Sequence, residues 1–107
     1  MANETVEDLT MNFLDEEGTL LVKELSKEVL TKGGWATVIF RYQDLDKAKG
    51  VFKAPKYAIR RYQKSGGEYK MKSKFVVSSA AQALKLSEIL TRWGNEDAAA
   101  GASGDED

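Results

Sequence analysis

The 107-residue sequence predicts a small α+β domain: four antiparallel β-strands followed by one C-terminal α-helix. Three observations carry this. Trp35–Gln43, WATVIFRYQ, is dense in aromatic and β-branched residues. Lys56–Lys64 and Glu68–Val77 alternate in polarity on either side of a Ser65-Gly66-Gly67 turn. Ser79-Ala80-Ala81-Gln82 is a capping box that opens a helical repeat.

Taken in order, residues 1–18 form an acidic N-terminal segment that still contains Val6, Leu9, Met11, Phe13 and Leu14. Thr5-Val6-Glu7-Asp8 suits the start of a short helix, while Leu9, Met11 and Phe13 alternate as in a strand. Both readings stay open, and partial docking of the segment on the body is expected. Residues 19–31 place Leu21, Leu25 and Val29 at helical spacing, and the same residues alternate with Lys23 and Lys27. The Thr31-Lys32-Gly33-Gly34 turn and the strand after it favour a hairpin, so this segment is read as the first strand. Trp35–Gln43 is the second. Asp44–Pro55 is a polar connection, and Pro55 is tolerated at a strand start. Lys56–Lys64 and Glu68–Val77 are the third and fourth strands. The helix carries Ala83, Leu86, Ile89, Leu90 and Trp93 on one stripe and is expected to stop at Gly94. The domain is therefore expected over residues 19–94, with a disordered acidic tail over 95–107.

Charge is segregated along this order. All 16 basic residues lie between Lys23 and Arg92, and 11 of the 17 acids lie in the two ends. Sixteen cations against six acids leave residues 18–94 at +10, although the whole chain reads −1. Such a body suits a polyanion. The chain has no His and no Cys, so the usual general base, the commonest metal ligand and any thiolate chemistry are missing. Gly33-Gly34 and Gly66-Gly67 lack the spacing of a phosphate-cradling loop. Neither enzymatic activity nor a cofactor or metal is expected. There is no apolar run of membrane-spanning length and no secretory signal pattern, so a cytoplasmic location is expected.

Strand alternation locates the charge. It puts Lys56, Arg60, Tyr62 and Lys64 on one face of the third strand and Tyr57, Ile59 and Arg61 on the other. On the fourth strand it groups Lys70, Lys72 and Lys74 opposite Met71, Phe75 and Val77. Pairing the apolar faces leaves six cations and Tyr62 together on the exposed side of one hairpin, and Lys53 extends them. Interleaved cations and an aromatic suit the phosphates and unstacked bases of a single strand. The bland alternative is a solvated sheet face whose lysines discourage edge-to-edge aggregation. The helix, nearly neutral with Lys85 and Arg92 against Glu88, does not suit a DNA groove.

The order of elements, PKYAIRRY (Pro55–Tyr62) and KFVVSSAAQALKLSEIL (Lys74–Leu90) resemble the positive-cofactor-four family of single-stranded-DNA-binding transcriptional coactivators. The likeness covers about Leu20 to Trp93. Ile59-Arg60 matches the family's apolar-Arg step, Lys74 its basic residue before the apolar strand end, and Lys70 and Lys72 its basic approach. The resemblance implies a homodimer with helices near the two-fold axis, and a curved sheet forming a groove for one DNA strand. It implies a stacking aromatic, here Tyr62 or the position held by Gln63. Strand parity, which puts Arg41 on the face opposite Phe40, makes Arg41 a candidate for a further phosphate contact. The expected function is single-stranded DNA binding with little sequence preference, in transcription or replication. A protein-interaction dimer with an acidic partner, and an RNA-binding module, are the alternatives. Flexible acidic ends tethered to a basic groove are expected either to compete with phosphate or simply to solubilise the chain.

Overall fold

In a computed structural model of the chain, which describes residues 5–101, an antiparallel sheet carries one long C-terminal helix. The strands are β1 (Phe13–Leu14), β2 (Leu20–Thr31), β3 (Trp35–Asp46), β4 (Val51–Phe52), β5 (Lys56–Ser65) and β6 (Glu68–Val77). The helix α1 spans Ala80–Ala99. The sheet is curled, with order β1-β2-β3-β5-β6 and β4 paired back onto β3. The α+β class and the four long strands agree with the sequence reading, including strand rather than helix for the segment after Thr19. The strand count does not: β1 and β4 make six. Each is two residues long, too short for a period to show. β4 turns the supposed loop into a small hairpin, with Leu45 opposite Phe52 and Asp46 opposite Val51.

Local chemistry explains the joints. Gly66 and Gly67 both have positive φ (62° and 85°), as a two-residue type I′ turn requires, and Ser65 pairs with Glu68 across it. Ser79 caps α1, its Oγ accepting from the Gln82 N–H at 3.2 Å, and Gln82 Oε1 accepts from the Ser78 N–H at 3.1 Å. The helix continues past Gly94, where its stop was expected. Gly94 has no positive φ, and the alanines beyond it have the highest helix propensity. Termination falls to Gly101 (φ 83°), whose N–H bonds the Ala98 carbonyl at 3.0 Å. Residues 95–99, expected in the disordered tail, are thus helical; residues 102–107 of that tail lie outside the described residues, as do residues 1–4.

The N-terminal segment starts with one helical turn, but Leu9 and Met11, expected to alternate as in a strand, lie in irregular chain, and only Phe13–Leu14 is strand. Val6–Asp8 is a 3-10 turn whose Asp8 Oδ2 accepts from the Thr5 N–H at 3.2 Å, and Phe13–Leu14 is strand. Between them the segment docks on the sheet. Val6, Leu9 and Met11 are buried in one cluster with Ala36, Val38, Phe40, Tyr42, Ala58, Tyr62 and Tyr69. This side, the core face, is the face the sequence reading assigned to solvent. The opposite side, the helix face, carries Ile39, Tyr57, Ile59 and Val77 and meets Ala83, Leu86 and Leu90 of α1 across a groove of about 390 Å³.

Three bulges decide which residues share a face. In β2, Glu24 pairs with Tyr42 and Ser26 with Arg41, leaving Leu25 as the extra residue; Leu30 is a second, between Val29 and Thr31. In β6 the extra residue is Lys72, because Arg61 pairs with Ser73 and Tyr62 with Met71. Each bulge reverses the alternation beyond it.

Candidate functional site

The β5–β6 hairpin brings together some of the expected site residues and separates others. Directly opposed residues share a face. Arg60 therefore shares the core face with Lys74, its cross-strand partner. Lys64, opposite Tyr69, and Lys56, opposite Tyr42, lie on the same face. Lys72 occupies the bulge between them, exposed. Lys70 does not join them: it pairs with Gln63, so the bulge sends it to the helix face. Met71 and Tyr69 take the places opposite Tyr62 and Lys64. Arg41 pairs with Tyr57 and also lies on the helix face, away from Arg60. Lys53 sits outside the strands, its N–H bonding the Asp44 carbonyl at 2.8 Å.

The electrostatic state of these cations differs. Lys56 is satisfied by Asp44, with Nζ to Oδ2 at 3.2 Å. The Lys64 ammonium lies 5.4 Å from the centre of the Tyr69 ring. The Arg60 guanidinium lies 5.9 Å from the centre of the Phe40 ring, and its Nε is buried without a hydrogen-bond partner. Arg60, Lys72 and Lys74 form no ion pair among the described residues. Two like charges directly opposed on a sheet repel, and a half-buried guanidinium with an unfilled donor is further unsatisfied. A bound anion relieves both.

Two aromatics behave differently from expectation. Tyr62, the expected stacking platform, is only 5% exposed and belongs to the core cluster. Its strand position was read correctly, but the N-terminal segment covers its face. Tyr42 lies on the same floor; burial first, and then the nearby Asp44 carboxylate, push its phenol above the ordinary value. Arg61, awkward on a face taken as buried, is exposed and lies 4.6 Å from the centre of the Trp35 ring. The helix face is open enough there to admit a charge.

Lys27 is a polar residue whose role the sequence did not reveal. Its Nζ donates to the carbonyls of Val6 (2.6 Å), Leu9 (2.7 Å) and Glu7 (3.2 Å), filling all three donor positions of the ammonium. The bulge at Leu25 puts Lys27 opposite Phe40 on the core face, while Lys23 pairs with Gln43 on the other. Unbroken alternation gives no hint of that difference. Glu24 adds to the attachment: its Oε1 accepts from Thr10 Oγ1 (2.8 Å) and from the Met11 N–H (3.0 Å), and its own N–H donates to Asn12 Oδ1 (2.8 Å).

No group of three or more metal-ligating side chains converges among the described residues. No helix is long and apolar enough to cross a membrane. No family model, curated protein or solved structure matches this chain. The functional reading rests on the geometry and charge of the molecule itself.

Proposed function

We propose that the protein binds single-stranded DNA with little sequence preference, its phosphates lying along the β5–β6 rim on Arg60, Lys72 and Lys74. The observation that carries this is the direct opposition of Arg60 and Lys74 with Lys72 bulged beside them, all three without an ion pair among the described residues. Lys64 extends the track toward the hairpin tip. A rim of this kind neutralises phosphates and carries no base code, which supports indifference to sequence. The chain is then a compact member of the positive-cofactor-four-like proteins it resembles, serving transcription or replication and meeting protein components of that machinery.

The same reading includes a homodimer formed through the helix face. In support, α1 has no buried residue in its 20, and Phe75 (58% exposed), Leu90 (55%) and Trp93 (55%) offer their apolar surface to solvent. The molecule measures 53 × 38 × 17 Å with a radius of gyration of 16.3 Å, against about 13 Å for a compact chain of this length. A second copy laid against this face supplies the missing layer.

Fluorescence anisotropy of a labelled oligothymidine tests the binding site. The double variant Lys72→Glu, Lys74→Glu keeps its circular dichroism spectrum and loses most of its affinity. Unchanged affinity removes the hairpin from the site. Capture of a protein from nuclease-treated extract, together with no DNA binding, favours the protein-partner alternative.

A further inference from the structure

We infer that residues 5–12 form a displaceable strap that fills the base-stacking floor of the nucleic-acid site, so that strap docking and strand entry exclude one another. This rests on the single-strand reading above and adds to it where the bases go and what holds them out.

The floor is aromatic. Phe40, Tyr42, Tyr62 and Tyr69 lie on the core face, beside the Arg60–Lys74 pair. A strand whose phosphates follow that pair would bring its bases onto this face, where aromatic rings give sequence-tolerant stacking. In the structure the space is taken by Val6, Leu9 and Met11.

The strap also carries acidic residues onto this face. Glu7 lines a shallow depression of about 200 Å³ together with Lys32, Lys64 and Tyr69, so the strap brings an acidic residue to a site edged by two lysines. The competing group is thus an apolar plug joined to an acid, not acidic charge alone.

The attachment is built from few groups. Lys27 holds three strap carbonyls, and Glu24 holds Thr10, the Met11 N–H and the Asn12 side chain. The strap itself contributes no strand to the sheet; β1 follows it. It can lift while the β2-β3-β5-β6 ladder stays paired.

This assigns Lys27 a role opposite to that of its charge. Lys27→Met removes a cation from a basic face, which lowers affinity for DNA if the residue acts only electrostatically. Releasing the strap instead raises affinity for oligothymidine by about tenfold, the scale of one base–aromatic stack. Amide exchange at Met11 should rise in the variant, and in the wild type when oligothymidine is added.

A locked form gives the converse. The chain has no cysteine, so Thr10→Cys with Glu24→Cys introduces two unique thiols on either side of an observed contact. Before cross-linking with a short bismaleimide the variant binds at least as tightly as the wild type. After cross-linking it binds roughly tenfold or more weakly, since stacking is denied. If oligothymidine binds equally to the wild type, Lys27→Met and the cross-linked protein, the segment is fixed core and the strap is overturned, while the single-strand reading survives. If neither the wild type nor the released forms bind, both fall.

Discussion

Arg60 and Lys74 stand directly opposite one another across β5 and β6, two cations on one sheet face. Placing like charges there costs stability, while the Arg60 guanidinium also rests over Phe40 and leaves its Nε unfilled. An arrangement that is unfavourable alone and favourable with a bound phosphate separates stability from affinity.

Lys74→Glu tests that separation. An opposite-charge pair replaces a repulsive one, so urea unfolding should show a gain of about 0.2–1 kcal/mol. Affinity for oligothymidine should fall in the same variant. A loss of both stability and affinity would mean that Lys74 acts through packing.

Phe40 tests the core. It is fully buried beneath the strap and is the floor against which Arg60 lies. Phe40→Ala should cost about 3–5 kcal/mol in denaturant unfolding, enough to threaten a domain of this size. Ser73→Ala, at an exposed position on the far face, should change stability by less than about 0.5 kcal/mol.

Leu90 tests the dimer. It lines the groove between α1 and the sheet and is still half exposed. Sedimentation equilibrium should give twice the 11.9 kDa chain mass for the wild type. Leu90→Asp places a charge in the apolar interface and should sediment near 11.9 kDa. A monomeric wild type would leave the helix face to another partner.

Asp15 sets a pH dependence at the turn between β1 and β2. The Thr19 N–H above all holds its carboxyl below the ordinary 3.8; desolvation opposes it, and the Glu17 N–H and the Lys47 charge add to the lowering. The folded value is depressed, so the turn's stabilisation is present above 3.8 and is lost as pH falls through the folded value. The Thr19 amide shift should titrate with a midpoint below 3.8, and Asp15→Asn should abolish that titration.

The long elements were legible because each repeats a signal many times. Trp35–Tyr42 is dense in β-branched and aromatic residues, and the Gly66-Gly67 turn sets the register of Ser65 and Glu68. The site was legible in part. Arg60 and Lys74 were grouped correctly, since no bulge lies between their pair and the apolar strand ends. Lys70 was misplaced because the bulge at Lys72 carries no glycine to announce it. The buried face is also not the one that alternation suggests. Alternation separates two faces, but Ala58 and Tyr62 look no more buried in sequence than Tyr57 and Ile59. What decides is a tertiary contact from Val6, Leu9 and Met11, set in an acidic segment far along the chain.

The central claim is that the β5–β6 rim holds the phosphates of a single strand. Titration of labelled single- and double-stranded oligomers of equal length, at two salt concentrations, tests it most directly. With four to six phosphates engaged, log K for the single strand should fall with log salt at a slope of roughly −3 to −4, and the duplex should bind more weakly at both salts. A salt-independent affinity, or no binding of oligothymidine at low salt, would contradict it.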